Sequence, residues 1–119
     1  MVVTKSKTKA PSIPTKIKKL LRELKKGLVD IYGDQFKAVY LFGSFARGDG
    51  KLPDFDIDVM IVLKGEFDHR EAEKRSMNFV TSICLEYDVV ISWFFASDTK
   101  YYQSKMPFML NVRKDAVTI

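Results

Sequence analysis

Polar and apolar positions along the chain fall into a few distinct rhythms. Apolar side chains recur at Ile17, Leu20, Leu21, Leu24, Leu28 and Ile31, a spacing that puts them on one face of a helix. Thr15, just after Pro14, is placed to cap its start, and Gly33-Asp34 to end it. Residues 37–42 (KAVYLF) are β-branched and aromatic and predict a strand running into Gly43-Ser44. Residues 56–63 (DIDVMIVL) are almost continuously apolar after Asp58, the pattern of a central strand covered on both faces. After the turn Lys64-Gly65-Glu66, Asp68 and Glu71 form a capping pair. Ala72, Ser76, Phe79, Val80, Ile83 and Tyr87 then follow at helical spacing. Residues 87–95 (YDVVISWFF) predict a third strand. Ser97 or Asp98 can cap a short helix, and Pro107 suits the first turn of a last one reaching about Lys114. Residues 117–119 suit a short closing strand.

This order, helix, strand, strand, helix, strand, helix, predicts an α/β (α+β) fold with a small mixed sheet and helices packed on it. Residues 14–119 read as one domain. Residues 1–13, rich in Lys, Thr and Ser and broken by Pro11, read as a flexible basic arm.

Composition narrows the class. The 119 residues are 46% hydrophobic and 29% charged, a globular mixture, and nine Phe, five Tyr and one Trp supply bulk for a core. No apolar run approaches the roughly 20 residues that span a membrane. The Lys-rich start has no apolar run behind it, so it does not read as a secretory signal. A single cysteine, Cys84, leaves no intrachain disulfide and fits the cytoplasm. The net charge of +5 is misleading: residues 1–26 hold nine basic residues and one acid, and the rest carries eleven basic and fourteen acidic, a net of −3. The basic stretch could contact RNA through its phosphates. A solvated tail and helix face is the better expectation, because no aromatic residues are interleaved for stacking.

The candidate chemistry lies between the first two strands. Asp56 and Asp58 alternate on one strand, so they share a face about 6.6 Å apart. Two such anions repel, and burying them unpartnered is costly. A hard, oxygen-seeking cation between them, Mg²⁺ with substrate phosphates in its shell, removes the conflict. A D-x-D alone also suits a strand end where both carboxylates are hydrated, so context decides. Gly43-Ser44 follows a strand and can turn at once into a short helix, where backbone N–H groups can approach a phosphate. Ser44 adds a hydroxyl, and Arg47 or Lys51 a charge. The loop 48–55 is short enough to keep this cradle beside the two carboxylates. Asp88 opens the predicted third strand and could face the same edge, or be a strand-end acid without a role. Three carboxylates could hold two metal ions about 3.5–4 Å apart. Asp54 has the same parity and is expected to be a loop-end residue. His69 is expected to be exposed, Cys84 to be core, and the aromatics of 93–95 and 101–102 mostly core.

Residues 43–62, GSFARGDGKLPDFDIDVMIV, resemble the signature of the minimal nucleotidyltransferases of the DNA polymerase β superfamily. In that family Gly-Ser precedes Asp-hydrophobic-Asp, and a third Asp lies on a later strand. The resemblance runs from about residue 14 to 119. The spacer 45–55 is one residue longer than the commonest short form, and Asp115-Ala116 stands where relatives often have Glu-Gly. The resemblance implies a polymerase-β-like nucleotidyltransferase fold. It assigns Gly43 and Ser44 to the triphosphate, beside which Arg47 is the expected nucleotide-binding charge, and Asp56, Asp58 and Asp88 to Mg²⁺, two ions being the expectation for three carboxylates. It also implies a partner, since such proteins often accompany an all-helical HEPN ribonuclease toxin. An antitoxin that transfers AMP from ATP to a tyrosine of that toxin is the leading expectation. A non-catalytic antitoxin acting by contact, or transfer to a small molecule or RNA, are the alternatives.

Overall fold

The structure, a computed structural model, describes residues 13–47 and 56–119. Helix α1 spans Thr15–Tyr32 and buries Ile17, Leu20, Leu21, Leu24, Leu28 and Tyr32, the face set by the sequence spacing. Pro14, not Thr15, holds the cap position, and no side chain bonds there; Gly33 closes the helix with its N–H on Val29 O. A 3-10 turn at Gly33–Gln35 leads into β1, Phe36–Phe42. A single turn, α2 at Ser44–Arg47, follows, and then β2 at Asp56–Leu63. Helix α3 spans His69–Tyr87, and Asp68 caps it by accepting from the N–H groups of Arg70 and Glu71. Strand β3 is Val90–Ser97, α4 is Asp98–Gln103 with Ser97 as its cap, α5 is Pro107–Asp115 and β4 is Val117–Thr118.

The strands form one mixed sheet in the order β3-β2-β1-β4. β1 is antiparallel to β2 and β4, whereas β2 and β3 are parallel. One face carries the larger core: Val39, Leu41, Ile57, Val59, Ile61, Leu63 and Ile91 pack against α1 and α3. The other buries Met60, Val62 and Ala96 under Tyr101 of α4 and Val112 of α5. Both faces are therefore covered, which is why β2 lacks polar alternation after Asp58. The expected α/β (α+β) fold, a small mixed sheet with helices packed on it, is observed. Ile13 packs against the larger core, so it belongs to the domain; residues 1–12 of the expected arm lie outside the described residues. Among the described residues, no helix is long and apolar enough to cross a membrane.

The directions of the strands have a consequence for function. β1 ends, and β2, β3 and β4 begin, at the same edge of the sheet. Gly43 leaves the sheet there, and Asp56 and Asp58 join it.

Candidate active site

Asp58 sits opposite Phe42 on β1 and Ser92 on β3, and Asp56 opposite Val90. By alternation both acids share the face of Met60 and Val62, at the end where β2 begins. Asp56 is exposed and Asp58 half-buried. Burial, then the negative charge of Asp56, push the Asp58 carboxyl above its usual range, and the Arg47 cation opposes them. The conflict anticipated for two acids on one face is thus present, with a partial counter-charge alongside.

Gly43 meets this pair directly. Its φ is +79°, a conformation that side chains rarely tolerate, and a Cβ at this position would collide with Asp58 Oδ2. Glycine is needed for two separate reasons, the turn and the carboxylate. Arg47 N donates to Gly43 O at 3.1 Å, closing the single turn of α2. The Arg47 side chain pairs with Asp115 at the end of α5, Nη1 to Oδ2 at 2.9 Å. Of the expected phosphate contacts, the Ser44 hydroxyl and Lys51 lie outside the described residues, as do Asp54 and the rest of the loop 48–55.

Asp88 departs from expectation. It does not open β3, which starts two residues later at Val90. It is the exposed C-cap of α3, at φ 57° and ψ 53°, with its backbone N–H on Cys84 O. The helix runs to Tyr87 because that ring is buried and its hydroxyl donates to Glu23 Oε1 at 2.7 Å. Ending there demands a left-handed residue, which Asp tolerates better than most. Asp88 precedes the partner of Asp56 by two residues and so stays at the same sheet edge. Among the described residues no three His, Cys, Asp or Glu side chains converge closely enough to hold a metal ion.

The donor chemistry of the Asp56 and Asp58 pair still fits a hard cation. Both offer carboxylate oxygens, and the open backbone of Gly43 lies against one of them. Two side chains at this edge were missed from sequence: Ser92, in register beside Asp58, and Asp115, the partner of Arg47. Neither has a local motif, because each arrives through strand pairing.

The other candidates are ordinary. His69 is exposed in the first turn of α3, its Nε2 3.3 Å from Phe95 O. Cys84 is half-buried against the larger core. Tyr101 is buried, whereas Phe94, Tyr102 and Phe108 are exposed.

Comparison with known proteins bears on the family and the fold. A family model described as a nucleotidyltransferase domain matches residues 21–116. The "Putative protein adenylyltransferase MJ0141" of Methanocaldococcus jannaschii is 34% identical over 73 residues, 61% of this chain and 72% of that protein. MJ0604 of the same organism, with the same designation, is 35% identical over 62% of this chain and 67% of that protein. Among solved structures, a mutant form of the toxin–antitoxin MntA-HpeT superposes with a TM-score of 0.56 at 12% identity, covering 83% of this chain and 70% of that one. A toxin–antitoxin with AMP-PNP superposes at 0.51 and 17% identity, covering 87% of this chain and 68% of that one. The structural likenesses bear on fold; the matched domain and the M. jannaschii relatives bear on family. With the Gly43-Ser44 turn leading to Asp56 and Asp58 at a shared sheet edge, this chain belongs to the nucleotidyltransferase-domain family and is a nucleotidyltransferase.

Proposed function

We propose that the chain transfers AMP from ATP to a tyrosine hydroxyl of a HEPN-type helical toxin and thereby acts as its antitoxin in the cytoplasm. The observation that carries this reading is the paired Asp56 and Asp58 carboxylates on one face, with the Cβ-free backbone of Gly43 against Asp58. The designation of the M. jannaschii relatives supports a protein acceptor, and the toxin–antitoxin complexes among the structural neighbours support the partner.

In the proposed reaction the tyrosine oxygen forms a bond to the α-phosphorus. The bond to the β-phosphate oxygen breaks, pyrophosphate leaves, and the hydroxyl proton passes to a base. Gly43 and Ser44 hold the triphosphate, and Arg47 offsets its charge. Asp56 and Asp58 are the residues that would hold Mg²⁺. Bound Mg²⁺ supplies charge neutralisation for the phosphates and lowers the pKa of a hydroxyl it contacts. Asp88, at the same edge, is the third carboxylate, as a ligand of a second ion or as the base. Positioning and electrostatics account for most of such a transfer, so the fixed strand-end geometry matters more than any single acid.

The test uses purified protein, α-labelled ATP, Mg²⁺ and the partner encoded beside it. Label should move to the partner, and the double substitution Asp56→Asn with Asp58→Asn should stop it. An unlabelled partner, or labelling unchanged in the double variant, rejects the reading. Neutralisation by contact alone is the second reading, favoured by the exposed Val90, Phe94 and Phe108. It predicts that the double variant still silences the partner in cells.

A further inference from the structure

We infer that Asp115 is a positioning residue of the nucleotide site, acting through Arg47. The inference rests on the proposed role of Arg47 at the triphosphate and deepens it. β4 lies antiparallel to β1, with Val117 opposite Leu41. Asp115 therefore arrives two residues before that pairing, at the edge where Gly43 leaves two residues after it. Strand pairing brings together two segments that sit 68 residues apart in sequence.

Arg47 ends a four-residue helix, α2. An orienting contact comes from outside that helix, the 2.9 Å pair with Asp115. Arg47 is thus tied at its backbone to the Gly43 turn and at its side chain to the end of the C-terminal helix, and Asp115 holds the cation ready beside that turn. Restricting a flexible side chain before the ligand arrives reduces the ordering cost of binding. Asp115 is otherwise poorly placed. As the last residue of α5 it faces the carbonyl end of the helix, which disfavours an anion. Arg47 provides the compensation that the helix does not.

The experiment compares wild type, Asp115→Ala, Asp115→Glu, Arg47→Ala and the Arg47→Ala, Asp115→Ala double variant. AMP-PNP affinity with Mg²⁺ is measured by calorimetry, and KM and kcat by AMP transfer. For a pair this exposed, Asp115→Ala should raise the Kd for AMP-PNP and the KM for ATP about two- to fivefold, with kcat within about twofold. Asp115→Glu should restore both, and in the Arg47→Ala background Asp115→Ala should add nothing. A lower melting temperature with unchanged KM makes Asp115 purely structural and overturns the inference. A lowered KM means that Asp115 restrains Arg47 from the phosphates and overturns it too. Wild type that binds and transfers normally while Asp115→Ala does the same sinks this inference alone. Wild type that binds no nucleotide removes the proposed function and this inference with it.

Discussion

Gly43 offers a test in which backbone strain and site geometry can be separated. Replacing it with Ala forces a side chain into φ +79° and drives a Cβ into Asp58 Oδ2. The backbone penalty alone is about 1–2 kcal/mol. At about 4 °C per kcal/mol for a domain of this length, the melting temperature should fall by about 4–8 °C. The carboxylate must also move by about 1 Å to restore ordinary contact, and a misplacement of that size can cost about 10²-fold in rate. Gly65 is the matched control. Its φ is +67°, yet a Cβ there meets nothing within 4 Å, and it lies at the opposite end of β2. Gly65→Ala should therefore lose similar stability and keep its activity. The assay is thermal melting paired with transfer of label from α-labelled ATP, both well below the melting temperature of each variant. If Gly43→Ala transfers at the wild-type rate, or Gly65→Ala loses as much activity, the coupling of Gly43 to Asp58 is wrong.

Further outcomes follow from the same geometry. The Asp58 carboxyl is raised by burial and then by Asp56, so its share of stability is intact below the usual carboxylate value and is lost as pH rises through the folded-state value. Metal-free Asp58→Asn should accordingly melt above wild type at about pH 7 and match it near pH 3; a pH-independent difference refutes the assignment. Removing divalent metal with EDTA should stop transfer and added Mg²⁺ should restore it; undiminished transfer in EDTA contradicts a Mg²⁺ role for Asp56 and Asp58. Leu24 is fully buried between α1 and the sheet, so Leu24→Ala should cost about 2–5 kcal/mol in denaturant unfolding, without a selective effect on KM. Asp68→Ala should cost about 0.5–2 kcal/mol through loss of two cap bonds to α3, measured in the same way.

Much of this architecture was legible because its signals are local. The apolar face of α1, the apolar run of β2 and the Asp68 cap each lie within a few residues. Gly43-Ser44 and Asp56-Ile57-Asp58 were readable for the same reason: strand alternation alone puts the two acids on one face. The start of β3 was misread because YDVVISWFF suits a strand throughout, whereas Tyr87 is claimed by the helix through its buried ring and its bond to Glu23. Tertiary packing overrode local propensity there. Ser92 and Asp115 were invisible for a different reason. Each reaches the site by a partner strand, and strand order and direction are not written in any short window of sequence.

The position of Asp88 carries a last consequence. Asp56 and Asp58 are indexed to strand register, but Asp88 is indexed to where α3 stops. One residue added to or removed from that helix turns its end by about 100°. Such a change would swing Asp88, the proposed third carboxylate, around the helix axis while the strand pair stayed in place. The two halves of the acidic set thus answer to different rulers, one counted in pleats and the other in turns. Length changes in α3 should therefore be tolerated by the fold far more readily than by the chemistry, unless they come close to whole turns.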